Sequence, residues 1–253
     1  MTDIFTKQPR EPRSAEAEAA GLRWLAEASP CVAEVVEVDP ARNILRTRRV
    51  AEVSPTAEAA REAGRQLAHI HAAGAPAFGA PPSGWDGPNY IGTQEQECTP
   101  HEHWGTFYAE QRVLPFARRA VEVGHLDEEG LGVVERACAA ITAAPWEIAP
   151  ARIHGDLWAG NLLFSKQGPV FIDPAAHGGH PLTDLAMLAL FGVPFREDVW
   201  RGYQEVTPLP ADFRDHFPLH QLHPLAVHTL THGPSYARPL VAAARETVER
   251  FGG

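Results

Sequence analysis

The sequence has only three cysteines, Cys31, Cys98 and Cys138, among 253 residues. They are widely spaced and odd in number, and no C-x-x-C pair occurs. Neither a disulfide framework nor a zinc knuckle is expected. Long apolar runs are missing too: none reaches the roughly 18 residues of a membrane span, and the N-terminus has no apolar h-region. That excludes a spanning helix and a secretory signal, and the expected compartment is the cytoplasm. A basic surplus is also lacking. The 22 Lys and Arg face 32 Asp and Glu, a formal charge of −10, which argues against a nucleic-acid partner. No internal repeat or low-complexity tract occurs, and the length allows one large domain or two lobes.

The chemistry concentrates in residues 153–173. His154-Gly155-Asp156 is followed by Asn161, then by the apolar run Leu162-Leu163-Phe164. Ser165-Lys166-Gln167-Gly168 reads as a turn, and Pro169-Val170-Phe171-Ile172 as a returning strand that ends at Asp173. Such a hairpin brings Asn161 and Asp173 to adjacent ends, where they can share a cation. Phosphoryl transfer from ATP needs these residue types: a carboxylate to receive the acceptor's proton, and hard oxygens to hold Mg2+. The Asp156-to-Asn161 spacing equals that of the H-R-D-x-x-x-x-N loop of protein kinases, with Gly155 in the Arg place. A buried His beside solvent-facing carboxylates would explain a lone H-x-D, but not the whole set.

The stretch H-G-D-L-W-A-G-N resembles the fructosamine/ketosamine-3-kinase family, within the wider aminoglycoside-phosphotransferase-like kinases. Asp173-Pro174-Ala175, Gly179-His180, Asp184-Leu185-Ala186-Met187, Asn89-Tyr90-Ile91-Gly92 and Phe107 to Pro115 carry the same resemblance. It covers nearly the whole chain from about Ile4. The implied fold is α+β, bilobal and protein-kinase-like, with a shortened N-lobe (1–50) and a mostly helical C-lobe (51–253). The implied activity is ATP-dependent phosphorylation of a sugar hydroxyl on a ketosamine or other glycated amine, a deglycation step. Asp156 would be the base, and Asn161 and Asp173 the Mg2+ ligands. Lys7 would meet the ATP phosphates and pair with Glu18. Residues Arg48, Arg49 and Val50 would lie beside the adenine. His154 and Asp184 would support the catalytic loop. Trp158, next to the base, could wall the sugar, and Asn89 and Tyr90 could shape the substrate pocket. Two alternatives stay open: a kinase of another hydroxyl compound, aminoglycoside or choline-like, and a non-catalytic nucleotide-binding pseudokinase. Nothing in the sequence fixes the oligomeric state.

The remaining segments are read from local signals. Helices are expected from Ser14 (as cap) to Leu25, from Ser54-Pro55 to about Ala73, and from His101 to about Val123. Others are expected after Asp127 and Pro181, and over roughly 197–205, 213–231 and 236–251. Strands are expected over 32–38 and 44–50. Residues 74–100 read as a long irregular loop. The histidines at 228 and 232 are four apart on a helix, which is weak support for a metal. One departure from the kinase pattern stands out. No G-x-G-x-x-G occurs in the first fifty residues, and no hairpin precedes the Lys7 strand. Weak ATP affinity and a poorly fixed Lys7 are therefore expected.

Overall fold

The computed structural model of the protein describes residues 3–252. Its first elements are β1 (Ile4–Lys7), α1 (Ser14–Ala26), β2 (Val35–Asp39) and β3 (Ile44–Arg48). The strands form an antiparallel sheet in the order β1-β3-β2. Phe5 faces Thr47 and Lys7 faces Leu45 across it. Because side chains alternate along a strand, Phe5 and Lys7 share the inner face with buried Thr47 and Leu45. Asn43, with φ of 53°, turns the β2–β3 connection. Its Oδ1 accepts the Ala15 N–H (3.1 Å), and its amide donates to the carbonyls of Pro9 and Glu11. Asn43 thus caps α1 from across the chain. Ser14, the expected cap, instead spends its hydroxyl on the Glu11 carbonyl.

An exposed linker leads from β3 to α2 (Ala57–Ala72), where Thr56 rather than Ser54 is the cap, accepting from Ala59 N at 3.2 Å. The expected loop over 74–100 holds a small hairpin, β4 (Asn89–Ile91) with β5 (Gln94–Gln96). The expected long helix from His101 is interrupted. It runs as α3 (Trp104–Phe107), a π-helical stretch (Tyr108–Val113) and α4 (Leu114–Glu122). Pro115 has no N–H for the carbonyl of Gln111, and the buried Arg112 side chain donates to that carbonyl instead, at 3.0 Å. Then follow α5 (Glu128–Ala143), β6 (Ala151–Ile153), the hairpin of β7 (Leu162–Ser165) and β8 (Gly168–Phe171), and β9 (His177–Gly179), which pairs with β6. The chain ends in α6 (Leu182–Phe191), α7 (Arg196–Val206), α8 (Phe217–His232) and α9 (Ala237–Phe251). Pro224 lies inside α8 and cannot bond the His220 carbonyl; Tyr108 Oη fills that role at 2.9 Å.

Two apolar clusters hold the molecule. One joins Leu22 and Leu25 of α1 and Leu45 of β3 to Leu67 of α2, Phe171 of the hairpin and Trp200 of α7. The sheet is therefore packed directly onto the elements that carry the catalytic segment. The other lies among α3, α4, α5, α8 and α9. Helices α2 and α7 meet closely: a Cβ at Gly202 would overlap the Arg61 carbonyl. That approach sets Tyr203 against His71. Among the described residues, no helix is long and apolar enough to cross a membrane.

Candidate active site

Strand β6 delivers His154, Gly155 and Asp156 into a tight turn. Gly155 takes φ of 81°, and a Cβ there would overlap the Ala175 carbonyl, so the arginine of the protein-kinase loop has no room. Asp184, fully buried at the start of α6, holds this turn. Its carboxylate accepts the N–H of His154 (2.8 Å), the N–H of Gly155 (2.9 Å) and Nε2 of His71 (3.0 Å). Burial would raise its pKa, but these donors outweigh it and hold the carboxyl below its ordinary value. His154 bridges the turn to the hairpin. Its Nε2 donates to the Ile172 carbonyl at 2.9 Å, and Nδ1 faces Asp156 N at 3.3 Å. Burial keeps this imidazole neutral by lowering its pKa.

Asn161 and Asp173 end the two strands of the β7–β8 hairpin, where Ile172 N donates to Asn161 O at 3.1 Å. The Asn161 amide nitrogen turns inward, to the Asp156 carbonyl (2.8 Å) and the Asp156 carboxylate (3.3 Å). Its Oδ1 is left as a hard ligand atom. Asp173 holds a left-handed φ of 52°, a strained conformation that recurs at functional sites. Lys7 comes down from the sheet to Glu18 (2.7 Å) and Asp173 (3.1 Å). Contrary to the expectation of a loose side chain, two carboxylates fix it. Burial lowers the Lys7 pKa, but Glu18 and then Asp173 outweigh it, so the net shift is upward. Burial pushes the Glu18 carboxyl up, against the pull of Lys7. Burial, and then the charge of Asp173, raise Asp156 to about 7, against the hydrogen bond from Asn161. Three carboxylates around one ammonium leave excess negative charge. Among the described residues no three His, Cys, Asp or Glu side chains are placed to hold a metal by themselves, but Asp173 and the free Asn161 oxygen supply two hard oxygens, which fits Mg2+, usually held by one or two carboxylates plus substrate phosphates.

These groups line one end of a cavity of about 780 Å3 that runs on to the last turn of α8. Trp158 is 44% exposed in it, which rules out plain core packing for this side chain. Asn89 and Tyr90 also line it, but both are tied to the protein. Asn89 donates to the Ala176 carbonyl (3.0 Å) and accepts from Gln96 (2.8 Å), while Tyr90 Oη donates to the Pro12 carbonyl (2.9 Å). Asn89 is thus an anchor of the β4–β5 hairpin, buried and bonded through both ends of its amide. Arg48 ends the central strand β3 and Arg49 follows it; they pair with Glu34 and Asp3, and their backbone N–H groups are used. Val50 is half-buried in the linker. Phe5 was not singled out from the sequence. It is 45% exposed on the otherwise covered inner face, two residues before Lys7. Lys7 stands over Asp173, and the linker following Arg49 reaches β7, where Val53 N donates to the Phe164 carbonyl at 2.8 Å. Arg49 reaches over the Phe5 ring, 5.7 Å from its centroid, and Leu163 in the middle of β7 is half-buried, facing away from the core. Alternation along β1 is the signal that could have found Phe5.

The chain and its fold have counterparts among known proteins. A profile of the fructosamine kinase family matches residues 4–250. A crystal structure of a Thermobifida fusca protein, named as a fructosamine-3-kinase candidate, is 44% identical. It superposes with a TM-score of 0.89 over 97% of this chain and 85% of that one. An Enterococcus faecium protein named a probable ketoamine kinase is 36% identical over 181 residues, 70% of this chain. That stretch spans 62% of the relative's own length, under two thirds. At 17% identity, a choline/ethanolamine kinase family protein from Mesorhizobium loti shares the fold, with a TM-score of 0.61 over 99% of this chain and 84% of that one. With that profile matching residues 4–250, the chain belongs to the fructosamine kinase family.

Proposed function

We propose that the protein is an ATP-dependent kinase that phosphorylates a sugar hydroxyl of a ketosamine, such as a fructosamine or ribulosamine adduct, in a deglycation role in the cytoplasm. The observation that carries this reading is the convergence of Lys7, Glu18, Asp156, Asn161 and Asp173 at one end of a cavity roomy enough for a second substrate.

Asp156 accepts the proton of the acceptor hydroxyl as it attacks the terminal phosphorus. A carboxyl near 7 is suited to that work at neutral pH. Asn161 keeps it aimed through the contact to its carboxylate. Lys7, oriented by Glu18, meets the phosphate oxygens. Asn161 and Asp173 would hold Mg2+, which when bound neutralises phosphate charge. The base would lie between Phe5 and Leu163, against backbone groups of the linker that starts at Val50. Trp158 would cover one face of the sugar. The half-exposed Trp158, beside Asp156 in the cavity, offers an apolar face to a sugar ring.

The test is Mg2+-dependent ADP release across ketosamines, ribulosamines, aminoglycosides and choline. The expected result is turnover on the first two. Equal or higher kcat/KM on aminoglycosides, with none on ketosamines, would leave only a general small-molecule kinase. No turnover on any of them, with intact nucleotide binding, would favour a pseudokinase.

A further inference from the structure

The end of the cavity away from Lys7 is walled by the last turn of α8. His228 and His232 stack there, with ring centroids 4.6 Å apart and planes 15° from parallel. Phe191 backs His228 at 4.5 Å, and the Tyr236 ring lies 5.0 Å from His228. The hydrogen bonds fix both tautomers. Nδ1 of His228 is 2.8 Å from the Pro224 carbonyl, which can only accept, so Nδ1 carries the proton. The Thr231 hydroxyl gives its proton to the Val227 carbonyl at 2.8 Å. Nδ1 of His232, 2.8 Å from that hydroxyl oxygen, must then be the donor. Each ring is left with Nε2 as a lone-pair acceptor, and neither Nε2 has a hydrogen-bond partner among the described residues. Burial also lowers the pKa of His228, which keeps it neutral.

Three further features favour a positive donor at this wall. Helix α8 ends at His232, so the negative end of its dipole borders the cavity. Among the described residues that line the cavity as a whole, the acids Glu11, Glu18, Asp156 and Asp173 outnumber one cation, Lys7, which pairs with Glu18 and Asp173 at the far end, so the net field over the cavity favours a positive ligand. The rings of Trp158 and Tyr236 offer faces to a cation. A neutral sugar would use the two acceptors through hydroxyls and could pack on a ring face, but it would draw nothing from the field. A protonated secondary amine, with two N–H donors and one charge, uses all of them.

Resting on the kinase reading above, we propose that His228 and His232, through their free Nε2 atoms, are the specificity-determining residues that bind the protonated amine joining the sugar to the rest of a glycated acceptor.

The test compares fructosyl-glycine with 1-O-methyl-fructose, in which an ether oxygen replaces the amine, on the wild type and on His228→Phe and His232→Phe. Phenylalanine keeps the ring stack and removes Nε2. His232 is exposed, so its variant spares the core; thermal melts and ADP affinity by calorimetry check both. The wild type is expected to prefer the amine. Each variant should raise KM and the calorimetric Kd for the amine about tenfold or more, the scale of one hydrogen bond to a charged group, and change those for the ether less than threefold. If wild type uses fructosyl-glycine and the folded variants bind it unchanged, or lose amine and ether equally, this inference is overturned while the kinase reading stands. If wild type neither binds nor phosphorylates any ketosamine, both fall.

Discussion

Replacing Asp184 with Asn should unfix the catalytic turn without touching a reacting atom. One carboxylate oxygen accepts from both His154 N and His71 Nε2, and the other accepts from Gly155 N. An amide offers one acceptor oxygen and one NH2 donor. Whichever way the new amide turned, at least one buried backbone N–H would face a donor. Leaving such a group unsatisfied costs about 1–3 kcal/mol, and the surviving bonds lose the charge assistance that roughly doubles them. The sum is about 3 kcal/mol. At about 2–4 °C per kcal/mol for a chain of this size, Tm should fall by roughly 6–12 °C. Asp184→Ala removes all three bonds and should cost more. The turn also aims Asp156, and a displacement near 1 Å can cost about 100-fold in rate. Scanning calorimetry and single-turnover rates, measured below the variant's Tm, report the two effects separately. A Tm within about 2 °C of wild type, together with normal kcat, would refute the view that this carboxylate holds the turn.

Asp156→Asn keeps shape but cannot take a proton, so kcat should fall about 100-fold or more with ADP affinity nearly kept; wild-type turnover would remove Asp156 from its role. The same group gives a pH prediction: a base must be ionised, so kcat/KM should climb with pH up to about 7 and then level, and a flat profile from mildly acidic to mildly alkaline pH would contradict it. Asp173→Ala should weaken Mg2+-nucleotide binding by calorimetry, with little rescue by excess Mg2+. Phe5→Ala should weaken ADP about 5- to 100-fold, the scale of losing one base-stacking ring, while inorganic tripolyphosphate binds as before; equal losses for both would place Phe5 outside the base site.

How much of this was legible in the sequence depends on how local each determinant is. The β7–β8 hairpin is local: an apolar run, a turn with Gly168 and a returning strand set its register, so the nearness of Asn161 and Asp173 could be read directly. Helix existence followed from composition. The capping residues of α1 and α2 did not, because Asn43 caps α1 from 28 residues away and Thr56 outcompetes Ser54 for α2. The small strand pairs β4–β5 and β6–β9 escaped because three-residue strands carry no periodicity.

The site's polar partners were hidden for a related reason. Pairing of Lys7 with Glu18 joins β1 to α1, and nothing in the spacing of those two residues demands it. Family resemblance supplied that pair, and the sheet's packing onto the hairpin supplied its second carboxylate, Asp173. His71 reads in sequence as one more histidine on a helix face. It becomes the third donor to Asp184 only because α2 and α7 touch at glycine, which brings Tyr203 against its other nitrogen. The stacked histidines of α8 show the converse. Their four-residue spacing invites a metal, yet the neighbouring Pro224 and Thr231 settle both tautomers and turn the pair into two acceptors. A histidine's chemistry is set by what its second nitrogen touches, and that partner is a property of the fold.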